Sequence, residues 1–264
     1  MEPYDMKLYD MNHEKYIKQF HNCLQRGISM RKPKGHSPKF YENDKFEQFL
    51  GIESTEIVYN NRYNDDYYRY EPTSYSGLIC AFDELEKDIS RHDRLVDFGC
   101  GKGRVLFYVN QRFGCEVCGI EVDESLYEAA LDNRSFYNTR FRGSHDSIEI
   151  INGKAEEYEI RPEDNIFYFF NPFEINIYSQ VLEHIIASVN EHPRRVLILM
   201  YYPKEEYRDY MKHHKFKLYK VVKLPAYEND WDEKVVIYEY GSPPGLTDFD
   251  IYDHDSPFKR ENVN

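Results

Sequence analysis

The sequence has no long run of apolar residues. Its longest runs are Ile166–Phe170 and Val196–Tyr202, and both are far shorter than the roughly 20 residues that a membrane-spanning helix needs. The first residues, Met1–Lys7, also lack the apolar core of a signal peptide. We therefore expect a cytoplasmic protein with no membrane partner.

Basic residues are scarce as well. The chain has 34 Lys and Arg residues against 47 Asp and Glu residues, a formal net charge of -13. Because affinity for nucleic acids comes largely from basic side chains that neutralise phosphates, this balance favours small molecules or proteins over nucleic acids as partners. One basic segment stands out, and we interpret it as a solvated loop; it contains Arg26, Arg31, Lys32, Lys34 and Lys39 with His36.

Cysteines are few, and the chain has no secretory signal. Their number is five, and an odd number in such a chain indicates reduced thiols. Cys115 and Cys118 have the C-x-x-C spacing, but they fall in a predicted strand, where residues three apart point to opposite faces. No second pair completes a zinc site. We interpret both cysteines as structural.

The chain divides into three parts by pattern. Residues 1–69 are polar and rich in Tyr, and they predict an N-terminal extension or cap. Helical spacing at Tyr16, Phe20 and Leu24 and a short helix from Asp44 to Leu50 are expected there. Residues 70–241 alternate between strand and helix patterns. Residues 242–264 form an acidic tail that we expect to be loosely ordered.

The alternating region predicts an α/β fold. Repeated β-α-β units with short connections imply a Rossmann-like, mostly parallel seven-stranded sheet flanked by helices. Strands are predicted at Arg94–Phe98, Cys115–Val122, Ser147–Ile151, Ile166–Phe170, Val196–Tyr201, Phe216–Leu224 and Lys234–Tyr240, the last two as a closing hairpin. Helices are predicted around Leu78–Leu85, Val105–Phe113, after an N-cap at Asp123, and at Val181–Val189 and Glu205–His214.

A glycine loop follows the first predicted strand. Gly99, Gly101 and Gly103 allow a ligand to approach the backbone at the start of a helix. A dinucleotide fold expects G-x-G-x-x-G with a pyrophosphate above the helix. Here the spacing is G-x-G-x-G, and the carboxylate of Asp97 before it would repel pyrophosphate and attract an ammonium group. Glu121 ends the next strand, near the spacing expected for a carboxylate that accepts ribose hydroxyls.

These segments resemble the class I S-adenosylmethionine-dependent methyltransferases. Val96–Gly103 is similar to the first motif of that superfamily, and Gly119–Asp123 is similar to its second. The resemblance spans roughly Tyr70–Tyr240. It implies that residues 70–241 form a methyltransferase domain. It implies S-adenosylmethionine as cofactor. The amino-acid part would be held by Asp97, Gly99, Gly101 and Gly103, the ribose by Glu121, and one face of the adenine by Val122.

Two further cofactor contacts follow from position in this family. Lys154 stands where an Asp that reads adenine is common, so the backbone of Ala155 or the side chain of Glu156 is expected to substitute. Thr73 precedes the first helix, where the family often contacts the cofactor; its alternative role is the helix N-cap.

The fourth predicted strand ends in Asn171, Pro172 and Phe173. This segment resembles the Asn-Pro-Pro-aromatic motif of methyltransferases that act on amino nitrogens, with one Pro where that motif has two. The resemblance implies that all three residues are catalytic and that Asn171 also contacts the cofactor. A plain strand-ending turn is the alternative.

The hypothesis is therefore transfer of a methyl group from S-adenosylmethionine to an unidentified acceptor, with an amino nitrogen suggested. The alternatives are a catalytically inactive S-adenosylmethionine-binding regulatory protein and an NAD-dependent oxidoreductase. Residues 1–69 are expected to build the acceptor pocket, with contact surface from Tyr63, Tyr67, Tyr68 and Tyr70; alternatively they cover a helix face.

Overall fold

The computed structural model describes residues 46–56, 70–141, 147–225 and 227–241. The helical spacing at Tyr16–Leu24, the basic segment from Arg26, the tyrosines at 63, 67 and 68, and the tail 242–264 lie outside the described residues. In the described part of the chain, no helix is both long and apolar enough to cross a membrane.

Seven strands form one sheet in the order β3-β2-β1-β4-β5-β7-β6. They are β1 Arg94–Phe98, β2 Glu116–Glu121, β3 Ile148–Asn152, β4 Ile166–Phe170, β5 Val196–Tyr201, β6 Lys217–Lys223 and β7 Lys234–Tyr240. Strands β1 to β5 are parallel to one another, and β7 pairs antiparallel with both β5 and β6. The predicted Rossmann-like sheet and its closing hairpin are confirmed.

Five helices flank the sheet. They are α1 Tyr75–Asp83, α2 Arg104–Phe113, α3 Glu124–Arg140, α4 Ile175–Glu191 and α5 Glu205–His213. Asp123 caps α3, because its side chain accepts a hydrogen bond from the Leu126 N–H. Helix α4 begins six residues before its predicted start at Val181. Its buried stripe already includes Ile177 and Tyr178, which the polar residues on either side, Asn176, Ser179 and Gln180, obscure in the sequence.

The core is built largely from aromatic rings. Phe98 of β1 stacks on Phe167 and Phe169 of β4, with ring centroids 6.3 and 5.1 Å apart. The thiols of Cys115 and Cys118 are fully buried and free. Burial raises the pKa of each to about 12. Both therefore stay protonated and fill space, as the structural interpretation predicts.

Residues 46–56 share this core. Residues 46–50 are helical, and Phe46 stacks on Tyr75 of α1 with centroids 4.4 Å apart. Leu50 and Ile52 are buried. The described residues all belong to one compact unit that begins at Asn43. The role predicted for residues 1–69 as a whole, an extension or cap, stays a prediction.

Candidate active site

A cleft lies beyond the carboxyl ends of β1, β2 and β4, the edge where open α/β sheets bind ligands. Its volume is about 980 Å³ with its open mouth included, at the upper end of the range for small-molecule sites. The predicted site residues in its wall are Thr73, Asp97, Gly99, Glu121, Val122, Ala155, Pro172 and Phe173. Gly101, Gly103 and Asn171 lie close in sequence but outside the wall.

The glycine loop connects β1 to α2 and adopts left-handed backbone conformations. Its three glycines, 99, 101 and 103, have φ of 79°, 54° and 84°. At Gly99 a side chain is excluded for a second reason, because a Cβ there would lie 2.8 Å from the Cβ of Pro172. This close approach joins the loop to the turn after β4. The roles predicted for Gly101 and Gly103 as cofactor contacts stay predictions.

Glu121 ties the glycine loop to the end of β2. Its Oε2 accepts a hydrogen bond from the Gly101 N–H at 2.8 Å, and its Oε1 accepts one from the Asp123 N–H at 2.9 Å. Burial raises the pKa of this carboxyl to about 7, and the two backbone donors partly offset the rise. Each oxygen retains a lone pair. Glu121 can therefore still accept hydrogen bonds from the hydroxyl groups of a ligand in the cleft.

Asp97 is the second carboxylate in the cleft wall. It is buried, and no donor among the described residues hydrogen-bonds its side chain. Burial raises its pKa well above the usual range, and the nearby charge of Glu121 raises it further. A positively charged ligand group would stabilise the ionised form of both carboxyls. The wall is therefore suited to a cation and unsuited to a phosphate.

The chain entering α1 forms the opposite wall. The hydroxyls of Thr73 and Tyr168 are hydrogen-bonded at 2.9 Å. The N-cap of α1 is Ser74, whose side chain accepts from the Gly77 N–H. The alternative interpretation of Thr73 as the N-cap is therefore wrong, since its hydroxyl instead lies in the cleft wall beside β4.

Arg104, the first residue of α2, links this wall to residues 46–56. The buried guanidinium donates from Nη1 to the carbonyl of Thr73 at 2.9 Å and from Nε to Ser54 Oγ at 2.8 Å. Its Nη2 also pairs with the carboxylate of Glu47 at 3.0 Å. Because Arg104 lines the cleft as well, one side chain joins the N-terminal residues to the site.

The turn after β4 carries local strain. Asn171 has a φ of 40°, which is uncommon for a residue other than glycine. Its buried Oδ1 has no hydrogen-bond partner among the residues that the structure describes. Phe173 is only 1% exposed and packs edge-on against Phe169, with centroids 6.2 Å apart. Its ring thus belongs mainly to the core, and the contact predicted between this ring and an acceptor stays a prediction.

One side of the cleft follows β3, where the sequence predicts the contacts with adenine. Gly153 and Ala155 line the wall. Lys154 is solvent-exposed and pairs with Glu157 at 3.0 Å. Its side chain therefore does not replace the acidic residue that is common in the resembling family. The substitutes predicted from the sequence, the backbone of Ala155 or the side chain of Glu156, stay predictions.

Several wall residues escaped sequence reasoning. They include Arg104, Tyr168 and Phe170, whereas Tyr70, which the sequence predicts as contact surface, lines the wall. Tyr168 pairs with Asp97 across the sheet, so the register identifies it once β1 and β4 are known to be neighbours. The continuous apolar pattern of β4 does not say which face each ring takes, and nothing in the sequence marks Arg104 as buried.

Comparison with known proteins supplies the fold family. The human methyltransferase 10 domain containing protein matches 77% of this chain and 95% of its own, with a TM-score of 0.50 and 13% identity. The chain has the class I methyltransferase fold. No protein-family model matches the sequence.

Two further proteins are similar to this chain. An RNA methyltransferase from Salinibacter ruber, in complex with S-adenosyl-L-homocysteine, has a TM-score of 0.43 and 20% identity over 67% of this chain and 97% of that one. The H3 lysine-79 specific histone-lysine N-methyltransferase of Dictyostelium discoideum is 30% identical over 109 residues. That match covers 34% of this chain and only 6% of the Dictyostelium protein.

Proposed function

We propose that this chain transfers a methyl group from S-adenosylmethionine to an amino nitrogen. The observation that carries the proposal is the pair of buried carboxylates, Asp97 and Glu121, in the cleft wall beside the glycine loop. Burying two carboxylates with only backbone donors between them is costly unless a ligand compensates. S-adenosylmethionine offers the matching groups, an ammonium and two ribose hydroxyls.

The other wall residues also fit this cofactor. Asp97 would hold the ammonium and Glu121 the ribose hydroxyls, while Val122, Leu126 and the backbone of Ala155 offer an apolar slot for adenine. When bound, the cofactor supplies a methyl group that is electrophilic because it is attached to a sulfonium. The protein then needs mainly to align the nucleophile, and alignment alone supplies much of the rate.

The same wall disfavours the oxidoreductase alternative. NAD carries a pyrophosphate, which such folds place over the helix that follows the glycine loop. Here Asp97 closes β1 and Glu121 is hydrogen-bonded to the loop itself at Gly101. A carboxylate at that position repels pyrophosphate whenever it is ionised, and even a protonated one offers no positive charge to hold it.

The turn after β4 supports an amine as acceptor. A positive φ at Asn171 costs about 1–3 kcal/mol, and strain of this kind clusters at functional sites. The Oδ1 of Asn171 has no partner among the described residues and is buried beside the cleft, outside its wall. A rotation of the side chain toward the cleft would let it accept a hydrogen bond from an N–H donor. The name of the Dictyostelium relative, an N-methyltransferase, is consistent with this assignment.

Transfer of a labelled methyl group tests the proposal. Wild-type protein and the Asn171→Ala variant would be incubated with labelled S-adenosylmethionine and fractions of a cell lysate. We expect label in an amine-bearing product with wild type. The variant should lose at least ten-fold in transfer, well beyond any loss of cofactor affinity that follows from the contact predicted for Asn171. Cofactor binding without transfer to any fraction would favour the inactive regulatory protein.

A further inference from the structure

The described residues of the β6–β7 loop, 224–225 and 227–233, lie at the same edge of the sheet as the cleft. Strand β7 is antiparallel to β5, so Val235 near its start pairs with Tyr201 at the end of β5. Tyr201 in turn pairs with Phe170, the last residue of β4 and a part of the cleft wall. The loop therefore adjoins the cleft on the side of the turn at Asn171.

Two tyrosines hold the carboxylates of this loop. The hydroxyl of Tyr201 donates to Glu233 Oε2 at 2.9 Å, and the hydroxyl of Tyr202 donates to Asp230 Oδ2 at 2.5 Å. The ring of Tyr201 packs on Phe170 with centroids 4.2 Å apart. The acidic loop thus stands one aromatic layer behind the cleft wall, and its carboxylates are fixed relative to it.

The outer surface of the loop presents the single tryptophan of the chain. Trp231 is 55% exposed. Its ring stacks on the buried Tyr227, with centroids 6.2 Å apart and an interplanar angle of 28°. A large aromatic ring that is supported from below and open above is a typical anchor of an interface.

The charge around Trp231 is strongly negative. Residues 228–233 contain Glu228, Asp230, Asp232 and Glu233 and no basic residue. The amine of Lys234 contacts Asp232 at 3.1 Å and the carbonyl oxygen of Trp231 at 2.5 Å, and the amine of Lys223 lies 4.6 Å from the ring centroid of Tyr227. Four carboxylates against these two amines leave an excess of negative charge. A polyanion would be repelled here, and a cation would be attracted.

We propose that the β6–β7 loop docks a basic polypeptide segment that carries the methyl acceptor, an inference that rests on the proposed function. A Lys or Arg of that segment stacks on the face of Trp231, and its neighbours meet the carboxylates. The acceptor amine then enters the cleft past Phe170. The partner is selected by charge before the reacting nitrogen is placed.

A nucleic acid would use a different surface. The outermost strand β6 and the turn before it carry Lys215, Lys217, Lys220 and Lys223, and Lys220 is already paired with Glu84 at 3.0 Å. Lysines on an edge strand commonly prevent pairing with other chains. The basic edge and the acidic loop therefore make opposite predictions about the partner.

Binding of short labelled probes to the full chain tests the inference. The probes are a peptide of alternating Lys and Gly, a matched peptide of Glu and Gly, and a single-stranded RNA, each measured with S-adenosylhomocysteine present. The test variants are Trp231→Ala and Glu228→Gln, both at exposed positions. Phe136→Ala, 66% exposed on α3, and Glu163→Gln, exposed before β4 at the opposite sheet edge, are the matched controls.

We expect the Lys-Gly peptide to bind and the Glu-Gly peptide not to bind. Trp231→Ala should lower the affinity for the Lys-Gly peptide by about five-fold, equivalent to about 1 kcal/mol. The control variants should bind this peptide as tightly as wild type does. Equal affinity in Trp231→Ala and wild type would overturn the docking site, as would RNA binding that is lost in Lys215→Gln/Lys217→Gln. Failure of S-adenosylhomocysteine to bind wild type would instead refute the proposed function, since peptide binding is read separately.

Discussion

At the scale of residues, the two carboxylates of the cleft dominate the electrostatics. Burial raises the pKa of Glu121 from near 4.5 to about 7, so the folded state binds its proton more tightly than the unfolded state does. The stabilisation from this group is complete below about pH 4.5 and is lost as the pH rises to about 7. Asp97 acts in the same direction.

A pH series of denaturant unfolding measures this effect. Between pH 4.5 and 7, the free energy of unfolding of the ligand-free wild type should fall relative to that of Glu121→Gln, by up to about 3 kcal/mol. The variant has no ionisable group at this position, so its profile should be flatter. Parallel profiles for the two proteins would show that Glu121 does not titrate in this range.

Residue identities in the site were predictable only where a motif marks them. The motifs identified Asp97 and Glu121 as site residues, and its position before α1 identified Thr73. The structure has all three in the cleft wall. Asn171 was identified from its motif, but its strain and its orphaned oxygen emerge only from backbone geometry. Arg104 and Tyr168 were missed because their roles depend on contacts with residues 50 and 95 positions away, which no local pattern records.

At the scale of elements, the glycine loop is defined by its contact with the turn after β4. A side chain at Gly99 meets both a positive φ and Pro172. Gly114, the C-cap of α2, also has a positive φ, of 66°, but a Cβ there would meet nothing within 4 Å. Substitutions at these two glycines therefore distinguish the cost of backbone strain from the cost of a steric clash.

Alanine at each position gives a matched comparison. Gly114→Ala should cost about 1 kcal/mol of stability, because a non-glycine residue is strained at this backbone angle, and should leave the affinity for S-adenosylhomocysteine unchanged. Gly99→Ala should lower stability by more than Gly114→Ala does, and it should lower the affinity for S-adenosylhomocysteine at least ten-fold. The account of the loop is wrong if the two variants behave alike in calorimetry and thermal unfolding.

The strands were better predicted than the helix ends. Strands β1, β4, β5 and β7 have the predicted bounds, because short apolar runs between turn residues leave little freedom. The strand order needs pairing information that the sequence does not contain, although short β-α-β connections favour a parallel sheet. The early start of α4 was missed because tertiary burial of Ile177 and Tyr178, and not local propensity, extends the helix.

At the scale of the whole molecule, residues 46–56 belong with the cleft. They bury Phe46, Leu50 and Ile52 and partner the guanidinium of Arg104 through Glu47 and Ser54. Removing them would leave Arg104 buried without its carboxylate, and breaking such a buried pair costs about 3–5 kcal/mol.

Two truncations separate this segment from the residues before it. Deletion of residues 1–42 should leave the affinity for S-adenosylhomocysteine nearly unchanged and abolish transfer to the true acceptor. Deletion of residues 1–56 should lower the melting temperature markedly and should also lower the affinity for S-adenosylhomocysteine. If the longer deletion unfolds no earlier than the shorter one, the contacts of Arg104 contribute little.

The central claim, that the cleft binds S-adenosylmethionine through Asp97, is tested most directly by calorimetric titration with S-adenosylhomocysteine. Wild type should bind this ligand and not NAD. Asp97→Ala should bind it about ten-fold or more weakly, since a hydrogen bond to a charged group contributes about 1.5–3 kcal/mol. Unchanged affinity in Asp97→Ala, or tight binding of NAD by wild type, would contradict the account.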